Sequence, residues 1–387
     1  MDPRILFVDH TGALGGAELY LLDVAQAYRP TATVCLLEQG PFLEALRDAG
    51  LSAEVLPASD ALLGVQRNGT AWRALAAVPE LLSLSRQLAR RARHYDLLFA
   101  NSQKALLVAG LASAWSQTPL LWALHDILTA DHFSSLNQWV APRWANWCAD
   151  RVVANSDATR EAFVKSGGRR AKTGRVYNGI DATPFEAVPQ NAAKAVRREL
   201  GLGPDAPLIG LFGRLARWKG QHVLLRALPQ LPEAHLLLVG DALFPADQAY
   251  AQGLRTLSGT LGVTDRVHFL GFRHDVPRLM TAVNVLVHTS TAPEPFGRVL
   301  VEGMWARTPV VATRGGGPAE IIDDGTTGRL VPPGDPTALA HTLHAVLAAP
   351  QARARMVEAA HDRARTRFSK DAMLAALDTQ IRRAMSR

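Results

Sequence analysis

The chain has 387 residues, 48% hydrophobic and 20% charged, which is typical of a soluble globular protein with room for two domains. No apolar run reaches the length of a transmembrane helix, and no signal peptide precedes the first predicted strand. Two cysteines, Cys35 and Cys148, disfavour a disulfide scaffold or a zinc site. The formal net charge of +7 would attract phosphorylated ligands, nucleic acid or an anionic membrane, or it reflects only scattered arginine.

The first predicted strand leads into a turn that contains Gly12, Gly15 and Gly16, and an amphipathic helix follows. This order is typical of a loop that holds phosphate or sugar, although glycines also serve tight turns alone. The second predicted strand ends at Glu38, where an acidic residue would hold the ribose of a dinucleotide in an NAD(P)-dependent oxidoreductase. The glycines do not form G-x-G-x-x-G, so the dinucleotide interpretation is weak.

Two helical segments of the first half carry residues suited to a membrane or an acceptor. The helix predicted over Leu75–His94 has four arginines near its C-terminal end, Arg86, Arg90, Arg91 and Arg93. These charges suit the helix dipole or a solvated face, and a basic amphipathic helix also binds anionic membranes. A later stretch carries aromatic residues for an acceptor groove, a membrane-facing patch or the core: Phe133, Trp139, Trp144 and Trp147.

Polar residues follow two predicted strands at the point where each strand ends. His125 comes directly after the strand Leu120–Leu124, and ligands of open α/β sheets bind at that edge. We therefore expect a functional histidine there, although a single histidine is also common as a structural residue. Arg214 and Lys219 follow the strand Leu208–Phe212 and precede a helix. Two cations in such a loop are typical of a diphosphate clamp, and solvent-facing charges are the alternative.

The stretch from Val283 to Val311 predicts a strand, a polar loop, a helix over Phe296–Ala306 and a further strand. Its loop lies at the carboxyl edge of a parallel sheet and contains Glu294, and seven residues separate it from Glu302. Carboxylates accept hydrogen bonds from hydroxyl groups, so the pair could hold a sugar and a ribose around a diphosphate. Alternatively, Glu294 caps the helix and Glu302 is an exposed charge.

The pattern from Glu294 to Glu302 resembles the E-x7-E motif of retaining glycosyltransferases with the GT-B fold, family 4 in particular. Two later segments also resemble that family, Gly315–Glu320 and Asp324–Pro332, and the motifs occur in the expected order. The resemblance implies two Rossmann-like α/β domains that face a central cleft. We expect an acceptor-binding domain over 1–181, a linker over 182–192, a nucleotide-sugar domain over 193–365 and a final helix, 366–387, that returns to the first domain.

The same resemblance implies roles for individual residues. His125 and Glu294 would contact the transferred sugar, and Glu302 would hold the ribose. Arg214 and Lys219 would bind the phosphates of the leaving group. The remaining donor-binding positions lie in the first glycine turn and at the start of the helix after Glu294: Gly15, Gly16, Phe296, Gly297, Arg298, Val299 and Leu300.

The sequence therefore predicts a metal-independent, retaining glycosyltransferase without a cofactor. Its donor would be a UDP- or GDP-sugar, and its acceptor a hydroxyl group of a saccharide, a lipid-linked compound or a small molecule. We expect a cytoplasmic protein with at most weak contact to the inner face of the membrane, and no nucleic-acid partner. The alternatives are a catalytically silent sugar-nucleotide-binding homologue and the NAD(P)-dependent oxidoreductase considered above.

Overall fold

The computed structural model describes residues 2–59, 77–243 and 245–386. The chain divides into two α/β units, one formed by Met1–Gly179 with Lys370–Arg387 and the other by Ile180–Ser369. Each unit is built on one parallel sheet with helices between successive strands. This is the arrangement of two Rossmann-like domains that the sequence predicts, so the fold class is confirmed.

The sheet of the first unit has seven parallel strands in the order β3-β2-β1-β4-β5-β6-β7. Its strands are β1 Ile5–Asp9, β2 Ala32–Leu36, β3 Ser52–Val55, β4 Leu97–Ala100, β5 Leu120–Leu124, β6 Arg151–Ala154 and β7 Thr173–Arg175. The central strands are short apolar runs because helices cover both faces of a parallel sheet.

The helices of the first unit are Gly16–Ala27, Pro41–Asp48, Val78–Ala92, Gln103–Ser116, Ser135–Cys148, Asp157–Lys165 and Lys370–Met385, with a 3-10 turn at Arg170–Lys172. The helix expected over Leu75–His94 is thus observed from Val78 to Ala92, and residues 75 and 76 lie outside the described residues. Successive residues of β1 alternate between two apolar cores, with Leu6 and Val8 in one and Ile5 and Phe7 in the other.

The final helix, Lys370–Met385, belongs to the first unit although it comes last in sequence. Its apolar face contributes Met373, Leu377, Ile381 and Ala384 to the same core as Ile5. Polar contacts fix both ends: Lys370 Nζ lies 3.3 Å from Asp23, and Gln380 accepts a hydrogen bond from Arg151. The C-terminal helix therefore completes the N-terminal unit.

The sheet of the second unit has six parallel strands in the order β10-β9-β8-β11-β12-β13. Its strands are β8 Leu208–Phe212, β9 His235–Val239, β10 Val267–Gly271, β11 Val285–His288, β12 Val310–Thr313 and β13 Arg329–Val331. Its α-helices are Thr183–Glu186, Ala192–Glu199, Gln221–Ala227, Pro245–Thr260, Val276–Ala282, Arg298–Trp305, Pro318–Ile321, Pro336–Ala348 and Pro350–Arg367. Three 3-10 turns complete the described part of this unit: Arg217–Lys219, Leu228–Gln230 and Thr264–Arg266.

The boundaries between the units differ from those read from sequence. Residues 182–192, expected as a linker, belong to the second unit and contain the helix Thr183–Glu186. The second unit extends to Ser369 rather than to residue 365, because Phe368 is fully buried and its ring packs against Phe296. A β-bridge between Ile180 and Ser369 pairs the two ends of this unit.

Both sheets reverse their strand order next to their first strand, between β1 and β4 in one unit and between β8 and β11 in the other. At such a point the loops that follow two adjacent strands run in opposite directions and leave a crevice in which ligands bind. The predicted site residues should therefore be sought where these four strands end.

Candidate active site

In the second unit, Lys219 and Glu294 meet at the carboxyl ends of β8 and β11. Lys219 ends the 3-10 turn that follows β8, and its Nζ lies 2.6 Å from Glu294 Oε2. Both side chains are largely withdrawn from solvent, with 22% of Lys219 and 9% of Glu294 exposed. A hydrogen-bonded ion pair in such a position is held at a fixed place rather than moving in solvent.

Glu294 Oε2 receives two further hydrogen bonds from the end of β11. His288 Nε2 lies 3.0 Å away, and the Ser290 hydroxyl donates at 2.9 Å. With Lys219, three donors therefore converge on a single carboxylate oxygen. No described residue donates a hydrogen bond to Glu294 Oε1, and this oxygen is not fully buried. It can therefore accept hydrogen bonds from a ligand.

The charge of Glu294 is stabilised by these neighbours. Burial opposes ionisation of the carboxyl group, but the Lys219 ammonium and the hydrogen bond from His288 outweigh it and hold the pKa of Glu294 below its usual range. The site thus holds a fixed anion whose one oxygen binds the protein and whose other oxygen remains open. Such an acceptor is suited to the hydroxyl groups of a sugar.

The glycines after β12 hold the backbone of the Glu294 loop in place. Gly316 has φ 69°, and a Cβ atom there would lie 2.1 Å from the Glu294 carbonyl oxygen. Gly317 donates its N–H to the same carbonyl at 2.8 Å. Side chains at these positions would push the loop away, which is the physical reason for the glycine run after β12.

The helix after Glu294 begins later than the sequence predicts. It spans Arg298–Trp305 rather than Phe296–Ala306, because Gly297 adopts φ 103° and occupies the N-cap position. Phe296 is buried, and the Leu300 N–H is bonded to the Gly297 carbonyl at 3.0 Å. Arg298 and Val299 form the first two positions of the helix, where N–H groups have no partner within the helix.

The two remaining predicted residues of this unit have charged neighbours. Glu302 Oε1 lies 3.8 Å from Arg298 Nε, one helical turn away, and both side chains are mostly buried. Arg214, two residues after β8, lies 3.8 Å from Asp247. The structure therefore brings Lys219 and Glu294 together. It places Arg214 in the loop after β8, which also carries Lys219, and Glu302 in the helix that follows Glu294.

His125, Gly15 and Gly16 lie in the first unit, at the corresponding edge of its own sheet. His125 Nε2 lies 2.9 Å from Asn101 Oδ1, and Asn101 Nδ2 donates to Asp9 Oδ2 at 2.6 Å. Because the amide nitrogen faces the carboxylate, the Asn101 oxygen is an acceptor and His125 Nε2 must carry the proton. Asp9 and Asn101 thus set the tautomer of His125.

The glycine turn of the first unit is organised by Glu18. Gly15 is the N-cap of the helix Gly16–Ala27, and the buried Glu18 lies three positions on; a Cβ atom at Gly15 would lie 2.7 Å from Glu18 Oε2. Burial and the nearby charge of Asp9 raise the pKa of Glu18 to about 7. Hydrogen bonds from His10 and Asn101 outweigh burial at Asp9 and hold its pKa below its usual range.

The sequence analysis missed several of these side chains, among them Asp9, Asn101, His288 and Ser290. Asp9 and His288 end β1 and β11, and Asn101 directly follows β4. The rule that singled out His125, a polar residue at the carboxyl end of a buried strand, would have found these three. Ser290 lay within the polar loop that the sequence identified only as a whole.

The residues 2–59, 77–243 and 245–386 contain no group of three or more His, Cys, Asp or Glu side chains placed to hold a metal ion. Across the same ranges, no helix combines the length and the apolar character needed to span a bilayer.

Comparison with known proteins gives two family matches that together follow most of the chain. Residues 14–183 match the model of Glycosyltransferase Family 4, and residues 193–363 match that of Glycosyl transferases group 1. A D-inositol 3-phosphate glycosyltransferase of Streptomyces avermitilis is 30% identical over 90% of this chain and 79% of its own length.

Other relatives match either part of the chain or almost all of it. The lipopolysaccharide core biosynthesis glycosyltransferase LpsE of Rhizobium meliloti is 34% identical over 58% of this chain and 62% of its own length. The chain spans about half the length of several other curated relatives. Among solved structures, Anabaena HepE in complex with UDP and glucose, and with UDP-glucose, is 38% identical. These structures cover 98% of this chain and 100% of their own, with a TM-score of 0.89. The chain belongs to glycosyltransferase family 4, the glycosyl transferases of group 1, and has their GT-B fold.

Proposed function

We propose that this protein is a retaining glycosyltransferase that moves a sugar from a nucleotide-diphosphate sugar to a hydroxyl group without a metal ion. The acceptor would be a saccharide, a lipid-linked compound or a small molecule. The observation that carries the proposal is the Glu294 carboxylate, whose Oε2 binds Lys219, His288 and Ser290 while Oε1 stays open. A purely structural ion pair would not need one oxygen kept clear for a ligand.

Lys219 and Arg214 would stabilise the leaving group. As the bond between C1 of the sugar and the β-phosphate oxygen breaks, negative charge builds up on the phosphate. Cations held in place before the reaction lower the barrier because no reorganisation is needed at that moment. The loop after β8 supplies both cations, and the contact with Glu294 fixes the position of one of them.

The stereochemical outcome follows from the proposed placement of the carboxylates. An inverting enzyme needs a base on the face of the sugar opposite the leaving group. In our assignment both Glu294 and Glu302 act on the donor side, Glu294 on sugar hydroxyl groups and Glu302 on the ribose. The acceptor oxygen would therefore bond to C1 from the leaving-group side, and its proton would pass to an oxygen of the departing phosphate.

A UDP-sugar is the donor that the comparisons favour over a GDP-sugar. HepE, 38% identical over its full length, has been solved with UDP-glucose. The residues around Glu294 do not by themselves select a base, because loops that hold a base largely through backbone groups leave little trace in the side chains. We therefore assign UDP by similarity and leave the sugar to experiment.

The test begins with purified protein screened against UDP- and GDP-sugars by thermal shift and by slow hydrolysis of the donor. The donor identified is then used with simple hydroxyl acceptors, and the anomeric proton of the product is read by NMR. We expect an α-linked product from an α-linked donor. A β-linked product would refute the retaining mechanism, and thermal stabilisation without any turnover would favour the silent homologue.

A further inference from the structure

The helix Ser135–Cys148 exposes a row of apolar side chains that the protein core does not use. Leu136, Trp139 and Trp147 are 61%, 57% and 58% exposed, far more than large apolar residues usually are. Trp139 follows Leu136 by three positions, Arg143 follows Trp139 by four, and Trp147 follows Arg143 by four. The four side chains therefore share one face of the helix. The row spans about 16 Å at the rise of an α-helix.

The opposite face of the same helix meets the ordinary requirements of the core. Ala141, Pro142, Ala145 and Cys148 are buried there. Trp144, between the two faces, donates its Nε1–H to the Leu106 carbonyl at 3.2 Å. Packing against the sheet therefore explains the buried face and leaves the exposed row unexplained.

The surroundings of the row are basic. Arg143 lies over the Trp139 ring, 4.3 Å from its centroid, and the helix contains no acidic residue. The adjacent helix Gln103–Ser116 also lacks acidic residues and ends near Trp115, which is 38% exposed and has Arg86 at 5.3 Å from its ring.

The next helix along the sheet, Val78–Ala92, continues the basic surface. Arg90 and Arg93 are exposed there, and neither forms an ion pair with a described residue. Its one acidic side chain, Glu80, is hydrogen-bonded to Ser59. Three neighbouring helices thus present indoles and arginines with almost no compensating negative charge.

We propose that this basic aromatic face binds the surface of an anionic lipid bilayer, with the helix Ser135–Cys148 lying in the plane of the interface. The face comprises Leu136, Trp139, Arg143, Trp147, Trp115, Arg86, Arg90 and Arg93. Indole rings favour the level of the lipid headgroups, and arginines bind lipid phosphates while their alkyl stems cover apolar surface. A second copy of this chain is a poor occupant because it would place arginines against arginines.

The proposed surface is independent of the transfer reaction. It lies on helices of the first unit and includes none of the residues assigned to donor binding. Its consequence would be to hold the protein beside acceptors that are anchored in the membrane. Failure of the membrane experiment would therefore leave the proposed reaction untouched, and a protein without turnover could still bind lipid.

The test is flotation of the full chain with vesicles of phosphatidylcholine containing 30% phosphatidylglycerol, compared with phosphatidylcholine alone. We expect binding to the anionic vesicles at low salt, weaker binding at high salt and little binding to neutral vesicles. Trp139→Gln with Trp147→Gln should weaken binding at least tenfold. Arg86→Glu and Arg90→Glu should each weaken vesicle binding about fivefold or more, as for one basic residue at an anionic surface.

Matched controls change the same residue types elsewhere. Phe272→Gln removes an aromatic side chain that is 58% exposed, and Arg355→Glu reverses a charge on the exposed side of another helix. Neither should alter flotation. The proposal would be overturned if the wild type does not float at low salt, or if the tryptophan variants and the controls bind equally. It would also be overturned if the tryptophan changes abolish self-association or capture of a protein partner and leave flotation unchanged.

Discussion

Lys219→Met removes the ammonium group that lies 2.6 Å from Glu294 Oε2 and preserves most of the side-chain volume. In the wild type, burial would raise the pKa of Glu294, and Lys219 with His288 reverses that effect. Burial remains in the variant, whereas the larger opposing charge is lost. An adjacent opposite charge lowers the pKa of a carboxyl group by about 1–3 units, so the pKa of Glu294 should rise by that amount.

The sign of the pH effect follows from the depressed pKa. In the wild type, Glu294 contributes stability above its ordinary pKa of 4.5, and that contribution is lost only as pH falls through the lower value in the folded protein. In Lys219→Met the carboxyl group takes up its proton at a higher pH. Turnover should therefore fall about 10²-fold at neutral pH through loss of the leaving-group cation, and it should gain an acid limb shifted up by about 1–3 pH units.

The assay is the initial rate of sugar transfer with saturating donor from pH 9 down to about pH 3, so that the raised acid limb of the variant lies within the measured range. Lys219→Arg, which keeps the charge, should retain the wild-type pH profile even if its rate is lower. Lys194→Met, an exposed lysine of the same unit, is the control for loss of one positive charge. If Lys219→Met works within threefold of the wild type, with a parallel pH profile, neither the leaving-group role nor the control of Glu294 is correct.

Glu294→Gln should lower kcat about 10²-fold and leave the Kd for bare UDP within a few-fold of the wild type, whereas Glu302→Ala should weaken the binding of UDP. Calorimetry measures the Kd and rate assays measure kcat. The reverse pattern would mean that the two roles are exchanged. Activity should survive excess chelator, and loss that Mg²⁺ or Mn²⁺ restores would contradict metal independence. Because the pKa of Glu18 is raised from 4.5 to about 7, folding stability should fall by up to about 3 kcal/mol as pH rises between those values. Glu18→Gln should flatten that dependence in urea unfolding at pH 5 and pH 8, and an unchanged slope would show that Glu18 does not carry it.

The position of Glu294 was predictable from sequence because its signals are local. A short apolar run followed by polar residues predicts a strand and the loop at its carboxyl end, and parallel sheets bind ligands at that edge. The same reasoning located His125 after β5 and the cations Arg214 and Lys219 after β8. Each prediction depends only on neighbours within about ten residues.

The predicted start of the next helix was wrong, because the true start depends on contacts between residues that are distant in sequence. Proline and glycine at 295 and 297 suit several local conformations, and the sequence favoured a helix from Phe296. In the structure, a β-bridge pairs Glu294 with Gly316, Gly317 lies against the backbone of Phe296, and the helix begins only at Arg298. No local pattern contains that constraint.

The fold class, the family and the loops that carry the site can all be predicted from the sequence alone. The pairing of the side chains in those loops depends on the tertiary structure. Lys219 and Glu294 are 75 residues apart, and they meet because β8 and β11 are adjacent strands of one sheet. Likewise Asn101 reaches both Asp9 and His125 because β4 lies between β1 and β5. Strand order is set by the packing of the whole unit, so it assigns partners that no stretch of sequence can specify alone.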